Sequence, residues 1–338
     1  MIKKILVTGG LGYIGSHATV ELIKSGRTPV IVDNLSNSTP SVATRIKQIT
    51  GHDTLWHEGD LLDLAFLKTV FSKHEISAIM HFAALKSVGE STENPLRYYL
   101  HNLVTTFNLL LCMQEFAVNK FVFSSSAAVY GEPENLPVTE GSQVGTSVAN
   151  PYGWTKLMME QILRDVAASQ QNWHVTILRY FNAVGAHPSG LLGESPKGTP
   201  ANLLPYVVQA AAGQQEHLFV YGDDYDTPDG TGIRDYIHVV DLARGHIAAL
   251  HHLDEIDGTA VYNLGTGRGV SVLELIDAFQ KVNGVTVPYK IVPRRPGDIA
   301  ISYADPTKAQ RELGWEATLT IHDACRTAWQ WEHARKDE

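Results

Sequence analysis

The sequence predicts an α/β fold: a doubly wound parallel sheet with a smaller C-terminal α/β lobe. Three observations carry this. Short apolar runs rich in β-branched residues alternate with helical patterns through the first half of the chain. A glycine-rich segment, TGGLGYIG (8–15), follows the first of those runs and opens a helix. From about residue 183 the texture turns to Gly, Pro and shorter strands. Buried strands alternating with helices read as βαβ units, and hence as a parallel sheet.

The elements follow in order. KILVTG (4–9), PVIVDN (29–34), TLWHEGD (54–60), AIMHFAA (78–84), KFVFSSS (120–126) and VTILRYFN (175–182) read as strands. IGSHATVELIKSG (14–26), LRYYLHNLVTTFNLLLCMQEF (96–116) and YGWTKLMMEQILRDVAAS (152–169) read as helices. GAHPSGLLGESPKGTPANLLP (185–205) is dense in Gly and Pro and reads as a long functional loop. VYNLGTG (261–267) reads as a further buried strand returning to the main sheet. The expected division is 1–180 for a nucleotide-binding domain, with that return strand, and 181–338 for a discontinuous second lobe.

Bulk properties narrow the function. Of 338 residues, 44% are hydrophobic and 19% charged, which supports a large core and argues against disorder. A net charge of −9 with no long basic run argues against a nucleic-acid surface. No apolar run approaches the length of a membrane span, and the one in MIKKILVTGG is too short for a secretory signal. Cys112 and Cys325 do not make a disulfide framework, and the 15 histidines lack HxxxH spacing. The expectation is a soluble cytoplasmic protein with no metal site and no nucleic-acid or membrane partner.

TGGLGYIG satisfies GxGxxG through Gly10, Gly12 and Gly15, and GxxGxxG through Gly9, Gly12 and Gly15. Such glycines permit a tight turn and bring backbone N–H groups to a pyrophosphate at a helix N-terminus. Asp33 ends the second strand-like run, where a carboxylate accepts hydrogen bonds from an adenosine ribose diol and repels a 2′-phosphate. NAD is therefore favoured over NADP. Asp60, in HEGD, either meets the adenine amino group or caps the helix LLDLAFLKTV.

NPYGWTK (150–156) places Tyr152 and Lys156 one helical turn apart on one face. A free phenol with a pKa of about 10 is too weak a base at neutral pH. A nearby ammonium and a positive nicotinamide favour the phenolate. Ser126, upstream in SSS, can bond the same substrate hydroxyl. The three form a proton-transfer device beside a hydride acceptor.

TGGLGYIGSH, VDNLSNS, HFAALKSVGES, FSSSAAVYG, PYGWTK, LRYFNAVGAHPSG, DGTGIRDYIHV and PRRPGD stand in this order along essentially the whole chain. In them the sequence resembles the extended short-chain dehydrogenase/reductase superfamily and, within it, the UDP-glucose (UDP-galactose) 4-epimerases. The resemblance implies a Rossmann-type fold, a catalytic Ser126–Tyr152–Lys156 set and tightly bound NAD. Tyr152 takes the proton from the sugar 4-hydroxyl, Lys156 holds the nicotinamide ribose, and Ser126 orients the hydroxyl. Implied cofactor contacts are Gly9, Gly12, Tyr13, Ile14, Gly15, Asp33, Asn34, Asn37, Asp60 and Leu61. Phe82, Ala83, Ala84, Lys86, Ser124 and Phe181 complete them, with Lys86 on a cofactor phosphate. His101 stands where some members carry Asn.

SSSAAVYGEP (124–133) separates two chemistries. Related nucleotide-sugar 4,6-dehydratases carry Asp-Glu after the hydroxyl residue, and those acids eliminate water. Here the positions are Ala127 and Ala128, and a methyl group cannot shuttle a proton. The resemblance therefore implies an epimerase. Arginine's planar fork suits diphosphate, and Arg234 and Arg295 match the family's positions. Asn182, Asn202 and Leu203 resemble its diphosphate and uracil contacts. Phe219, Val220 and Tyr221 form the strand that grips uracil, and Asp298 binds the uridine ribose. Arg294 is either a further contact or a salt-bridge partner; Asp229 and Asp235 read as structural.

Some members carry a bulky tyrosine four residues after the Asp298 position. Ser302 stands there and leaves room for an N-acetyl group, unless Tyr303 fills the space. The expectation is turnover of UDP-N-acetylglucosamine and UDP-N-acetylgalactosamine alongside UDP-glucose and UDP-galactose. The alternatives are an NAD-dependent nucleotide-sugar dehydrogenase, reductase or dehydratase, and a dinucleotide-sensing regulator. Helices 96–116 and 152–169 carry more apolar surface than one sheet face needs; family members pair them across a two-fold axis, which implies a homodimer.

Overall fold

The computed structural model of the chain describes residues 4–335 except 171, 199, 201 and 296. From the N-terminus, β1 (Lys4–Thr8), α1 (Tyr13–Lys24), β2 (Thr28–Asp33), α2 (Ser41–Thr50), β3 (Leu55–Glu58), α3 (Leu64–Lys73) and β4 (Ile76–His81) alternate without interruption. Then come α4 (Val88–Glu93), α5 (Pro95–Glu115), β5 (Lys120–Ser124), α6 (Pro151–Ser169) and β6 (His174–Tyr180). The second half holds β7 (Asn182–Val184), α7 (Leu203–Ala211), β8 (Leu218–Tyr221), β9 (Ile233–His238), α8 (Val239–His252) and β10 (Gly258–Leu264). It ends with β11 (Gly269–Ser271), α9 (Val272–Asn283), β12 (Tyr289–Val292), β13 (Ile301–Ser302), α10 (Thr307–Leu313) and α11 (Ile321–Ala334).

Seven strands form a parallel sheet in the order β10-β6-β5-β4-β1-β2-β3. This is a Rossmann-type sheet with one extra strand. β10 pairs with β6 along seven residues, so the chain returns to the sheet after leaving it. Side-chain alternation explains the double winding. Ile5, Val7 and Ile31 pack one way, with Ala18, Val20 and Leu22 of α1 and Leu242 and Ala243 of α8. Leu6, Val30 and Val32 pack the other way, with Leu109 and Met113 of α5 and Met159 and Leu163 of α6. All of these are nearly or fully buried, and each of the Val, Leu, Ile and Met side chains contributes roughly 1.5–3 kcal/mol. A third cluster joins α7, α9 and α11 beneath β8 and β9.

The order of strands reverses between β1 and β4, which lie side by side and lead to helices on opposite faces. In such sheets a crevice opens beyond the C-terminal strand ends at that point. The sheet of β11, β9 and β13, with β7 on β9, stands across this crevice. Its far wall includes the 185–205 loop, whose described residues form no helix or strand before α7.

Candidate active site

One cleft of about 1440 Å³ runs between the two walls. Ligand pockets usually span about 300–1,000 Å³, so this one has room for two nucleotides. Gly9, Gly12, Tyr13, Ile14 and Gly15 line its floor. Gly9 has φ +66, and a Cβ on Gly15 would lie 2.1 Å from the Gly9 carbonyl oxygen. Only glycine fits there. Gly12 caps α1 with no side chain, so the first amides of the helix face the cleft without a capping oxygen. That is an anion cradle, and the fit to a pyrophosphate is good.

Asp33 is buried on the same wall. Its carboxylate accepts from the Leu11 amide at 3.0 Å, the Leu35 amide at 3.0 Å and the Ser38 hydroxyl at 2.7 Å. A carboxylate has about four acceptor positions, so one remains for a ribose hydroxyl. Asp60 accepts from Asn34 at 2.9 Å and from the Leu62 amide at 2.8 Å. The cap of α3 is Asp63 instead, which removes one of the two readings of Asp60. Asn37, Leu61, Phe82, Ala83, Ala84 and Phe181 also line the cleft. His101 lies on the wall too, with its Nδ1 buried and lacking a hydrogen-bond partner.

Ser126, Tyr152 and Lys156 meet where the dinucleotide floor joins the far wall. Asn150 caps α6 by accepting from the Gly153 amide at 2.9 Å, which aims the first turn of α6 into the cleft. The Lys156 ammonium donates to the Ser124 carbonyl at 2.7 Å and lies 5.9 Å from the Tyr152 ring centre. Burial pushes its pKa down to about 7, and Glu160, one turn further on, pulls it back up. Burial raises the pKa of Tyr152, and the Ser126 hydroxyl only partly lowers it again. A positive charge beside the phenol acts in the opposite sense to burial.

Behind α6 lies a buried ion pair that the sequence did not announce. Glu160 accepts from Arg179 at 2.9 and 2.6 Å and from the Ser125 hydroxyl at 2.5 Å. Burial works against its charge, but Arg179 holds its pKa below the usual carboxylate range. Losing one partner of such a pair costs about 3–5 kcal/mol, so the pair fastens α6 to β5 and β6. Ser124 sits off the cleft wall. Its hydroxyl lies 3.0 Å from His246 Nε2, and it serves the site through its carbonyl. Ala127 and Ala128 line the cleft beside Ser126 and bring no titratable group.

On the far wall, Arg234 is pinned by carbonyls of Ile233, Ile299 and Ala300 at 2.8, 2.8 and 3.3 Å. Arg295 pairs with Asp298 at 2.9 Å and lies 4.6 Å from the Tyr221 ring centre. Arg234, Arg295, Asp298, Asn182, Asn202 and Ser302 all line the cleft. Leu203, Phe219, Val220 and Tyr221 do not line it. β8 alternates, so Val220 points into the core while Phe219 and Tyr221 are exposed. Arg294 is a salt-bridge partner, bonded to Asp224 at 2.7 Å and stacked on Tyr225. Asp235 and Asp229 are structural: Asp235 takes the Thr266, Gly267 and Ala304 amides, and Asp229 takes Thr231 and Ser271. Tyr303 lies off the cleft wall, packed near Gly269, where a Cβ would sit 3.4 Å from its ring. Ser302 alone of the two faces the cleft.

Among the described residues no cluster of His, Cys, Asp or Glu is arranged to hold a metal ion, and no helix is long and apolar enough to cross a membrane. Cys112 and Cys325 are buried and free.

Comparison with known proteins agrees with this geometry. A family model described as GDP-mannose 4,6 dehydratase matches residues 6–328. The UDP-glucose 4-epimerase of Bacillus subtilis is 56% identical over 328 residues, 97% of this chain and 96% of that protein. The UDP-glucose 4-epimerase of Bifidobacterium longum, solved in complex with NAD+ and UDP, superimposes with a TM-score of 0.96 at 52% identity, covering 99% of both chains. The UDP-Glc/GlcNAc 4-epimerase of Campylobacter jejuni gives 0.85 at 40% identity, covering 98% of this chain and 99% of that one. Ala127 and Ala128 and the near-full-length epimerase relatives place the chain more narrowly than that family model. The chain belongs to the UDP-glucose 4-epimerase family of the extended short-chain dehydrogenase/reductase superfamily.

Proposed function

We propose that the protein interconverts UDP-glucose and UDP-galactose at carbon 4 of the sugar, with NAD held throughout in the glycine-rich groove. One observation carries this reading: Ser126, Tyr152 and Lys156 converge at the junction of an anion cradle and an arginine-bearing wall, with the methyl groups of Ala127 and Ala128 next to Ser126. Bound NAD supplies a reversible acceptor for the hydride at carbon 4. The residues of this chain do the rest. Gly9, Gly12, Tyr13, Ile14 and Gly15 hold the diphosphate of the dinucleotide. Asp33, Asn34, Asn37, Asp60 and Leu61 surround its adenosine, and Phe82, Ala83, Ala84, Lys86 and Phe181 line its course.

Tyr152 holds and moves the proton of the sugar 4-hydroxyl. Ser126 orients that hydroxyl and lowers the phenol's pKa. Lys156 supplies positive charge one turn below, fixed by the Ser124 carbonyl. Arg234 and Arg295 bind the diphosphate of the substrate, and Asn182, Asn202 and Asp298 orient its uridine side. Ala127 and Ala128 cannot protonate a leaving hydroxyl, so the 4-keto sugar turns within the cleft and is reduced on its other face rather than dehydrated. Serine at position 302 leaves space for an N-acetyl group, so the N-acetylhexosamine pair is accepted too.

Leu96, Leu100, Phe107 and Leu111 recur at four- and seven-residue steps along α5 and are exposed, Leu96 by 77%. With Met158 of the adjacent α6 they form an apolar stripe suited to a second copy of this chain. We read the protein as a homodimer of the reducing cytoplasm, where its two buried thiols stay free.

The purified protein is expected to carry bound dinucleotide and to interconvert UDP-hexoses without added cofactor. Tyr152→Phe is expected to lower turnover by at least ~100-fold while the dinucleotide stays bound. Net oxidation of substrate, or full turnover in that variant, overturns the reading.

A further inference from the structure

Glu194 lines the cleft between the two walls, and its side chain is only 9% exposed. A carboxylate there repels every phosphate that enters. Two donors from opposite walls hold it. Lys86, on the cofactor side after β4, donates to Oε1 at 3.1 Å. Asn202, on the substrate side, donates to Oε1 at 2.9 Å and Oε2 at 3.1 Å. Asn202 stands at the N-cap of α7 and makes no cap bond with its side chain. An asparagine at that position ordinarily caps its helix; here its amide is turned to Glu194 instead.

The segment carrying Glu194 is itself fixed. The Trp331 indole N–H donates to the Glu194 carbonyl at 3.2 Å, and Gly193 lies flat on the Trp331 ring, where a Cβ would come within 2.4 Å. Lys197 ties the same segment to the cofactor wall, its amide donating to Asn37 Oδ1 at 2.9 Å and its ammonium to the Leu35 carbonyl at 2.8 Å. One carboxylate on a clamped loop thus sets the place of a cation from one wall and an amide from the other.

We propose that Glu194 is a positioning residue for the UDP moiety, acting through Asn202 and Lys86. The proposal rests on the functional reading above. The test uses the dinucleotide-loaded enzyme and measures UDP affinity by calorimetry, with KM and kcat for UDP-glucose. Glu194→Gln keeps the shape and removes the charge. Loss of a charge-assisted hydrogen bond corresponds to about a tenfold loss in affinity. UDP affinity and KM should worsen by that factor, while kcat stays within about threefold.

Lys86→Met should weaken UDP in the same way, although its ammonium lies on the cofactor side. The double variant should be no worse than either single one, as coupled residues require. Unchanged or tighter UDP binding in Glu194→Gln overturns the proposal, since charge repulsion then outweighs positioning. Single effects that multiply in the double variant overturn it too. If Glu194→Gln does not fold, UDP affinity in Lys86→Met decides alone, and an unchanged value refutes the link. A wild type that binds UDP but turns over no UDP-hexose defeats the functional reading instead, and the two failures are told apart.

Discussion

The dinucleotide groove is held mainly by backbone, and the wall facing it mainly by side chains. In the groove, Gly9 and Gly15 touch main chain to main chain, and Asp33 is fixed by the amides of Leu35, two residues on, and of Leu11 in the glycine turn. On the facing wall, Arg234 reaches carbonyls 65 and 66 residues distant, and Glu194 meets a lysine 108 residues upstream. Backbone contacts leave no freedom, so an added atom displaces the whole turn. Side-chain contacts can be exchanged one at a time. The first wall is suited to an invariant ligand and the second to a changeable one.

The harshest way to break this contrast is Gly15→Val. The new Cβ would sit 2.1 Å from the Gly9 oxygen, far inside any permitted contact, and the turn must open. The expected result is protein that retains no dinucleotide, read from its absorbance after gel filtration, and shows no measurable epimerisation. A variant that keeps cofactor would show the backbone account to be wrong.

A milder challenge is acid. His81 and His246 are buried under the groove, and burial pushes their pKa values down to about 3 and about 4. His17, on α1, is pushed down to about 3 in the same way. Their folded values lie below the unfolded value of about 6.5, so the unfolded chain binds more protons between the two. Stability is therefore full above pH 6.5 and falls as the pH drops from there toward 4. Thermal unfolding followed between pH 8 and pH 4.5 should show a flat upper limb and a steep lower one. His246→Asn should shallow that slope; an unaltered profile would remove His246 from the explanation.

The smallest effect belongs to the exchangeable wall. Ser302→Tyr should abolish turnover of the UDP-N-acetylhexosamine pair and leave the UDP-glucose and UDP-galactose pair within a few-fold, because one side chain changes and no backbone moves. Rates on the four substrates measure this directly. Equal losses on both pairs would mean that Ser302 supports the wall rather than shaping the sugar site.

The same contrast explains what could be read in advance. Gly9, Gly12, Gly15 and Asp33 announce themselves because a tight turn and a strand-end carboxylate are local demands, written within 25 residues of sequence. Tyr152 and Lys156 are legible from one helical turn. Strand positions came within a few residues for the same reason, since period-two burial is local. Glu194, His246 and the Glu160–Arg179 pair were not legible. Their meaning comes from partners brought close only by folding: Ser124 meets His246 across 122 residues. Alternation in β8 also hid which of Phe219, Val220 and Tyr221 turns inward. The upward push on the Tyr152 pKa comes from burial, which sequence spacing does not report.

The return of β10 to the main sheet carries a further consequence. Residues 258–264 cover the outer edge of β6, and Asn263 there bonds both the Tyr130 hydroxyl and the Val138 carbonyl on the segment that follows Ser126. A ribosome that has made only the first two hundred residues has thus produced a sheet with a bare hydrophobic rim and an unbraced serine loop. Neither is completed until the distant strand emerges, so the nascent chain carries a sticky edge through much of its synthesis.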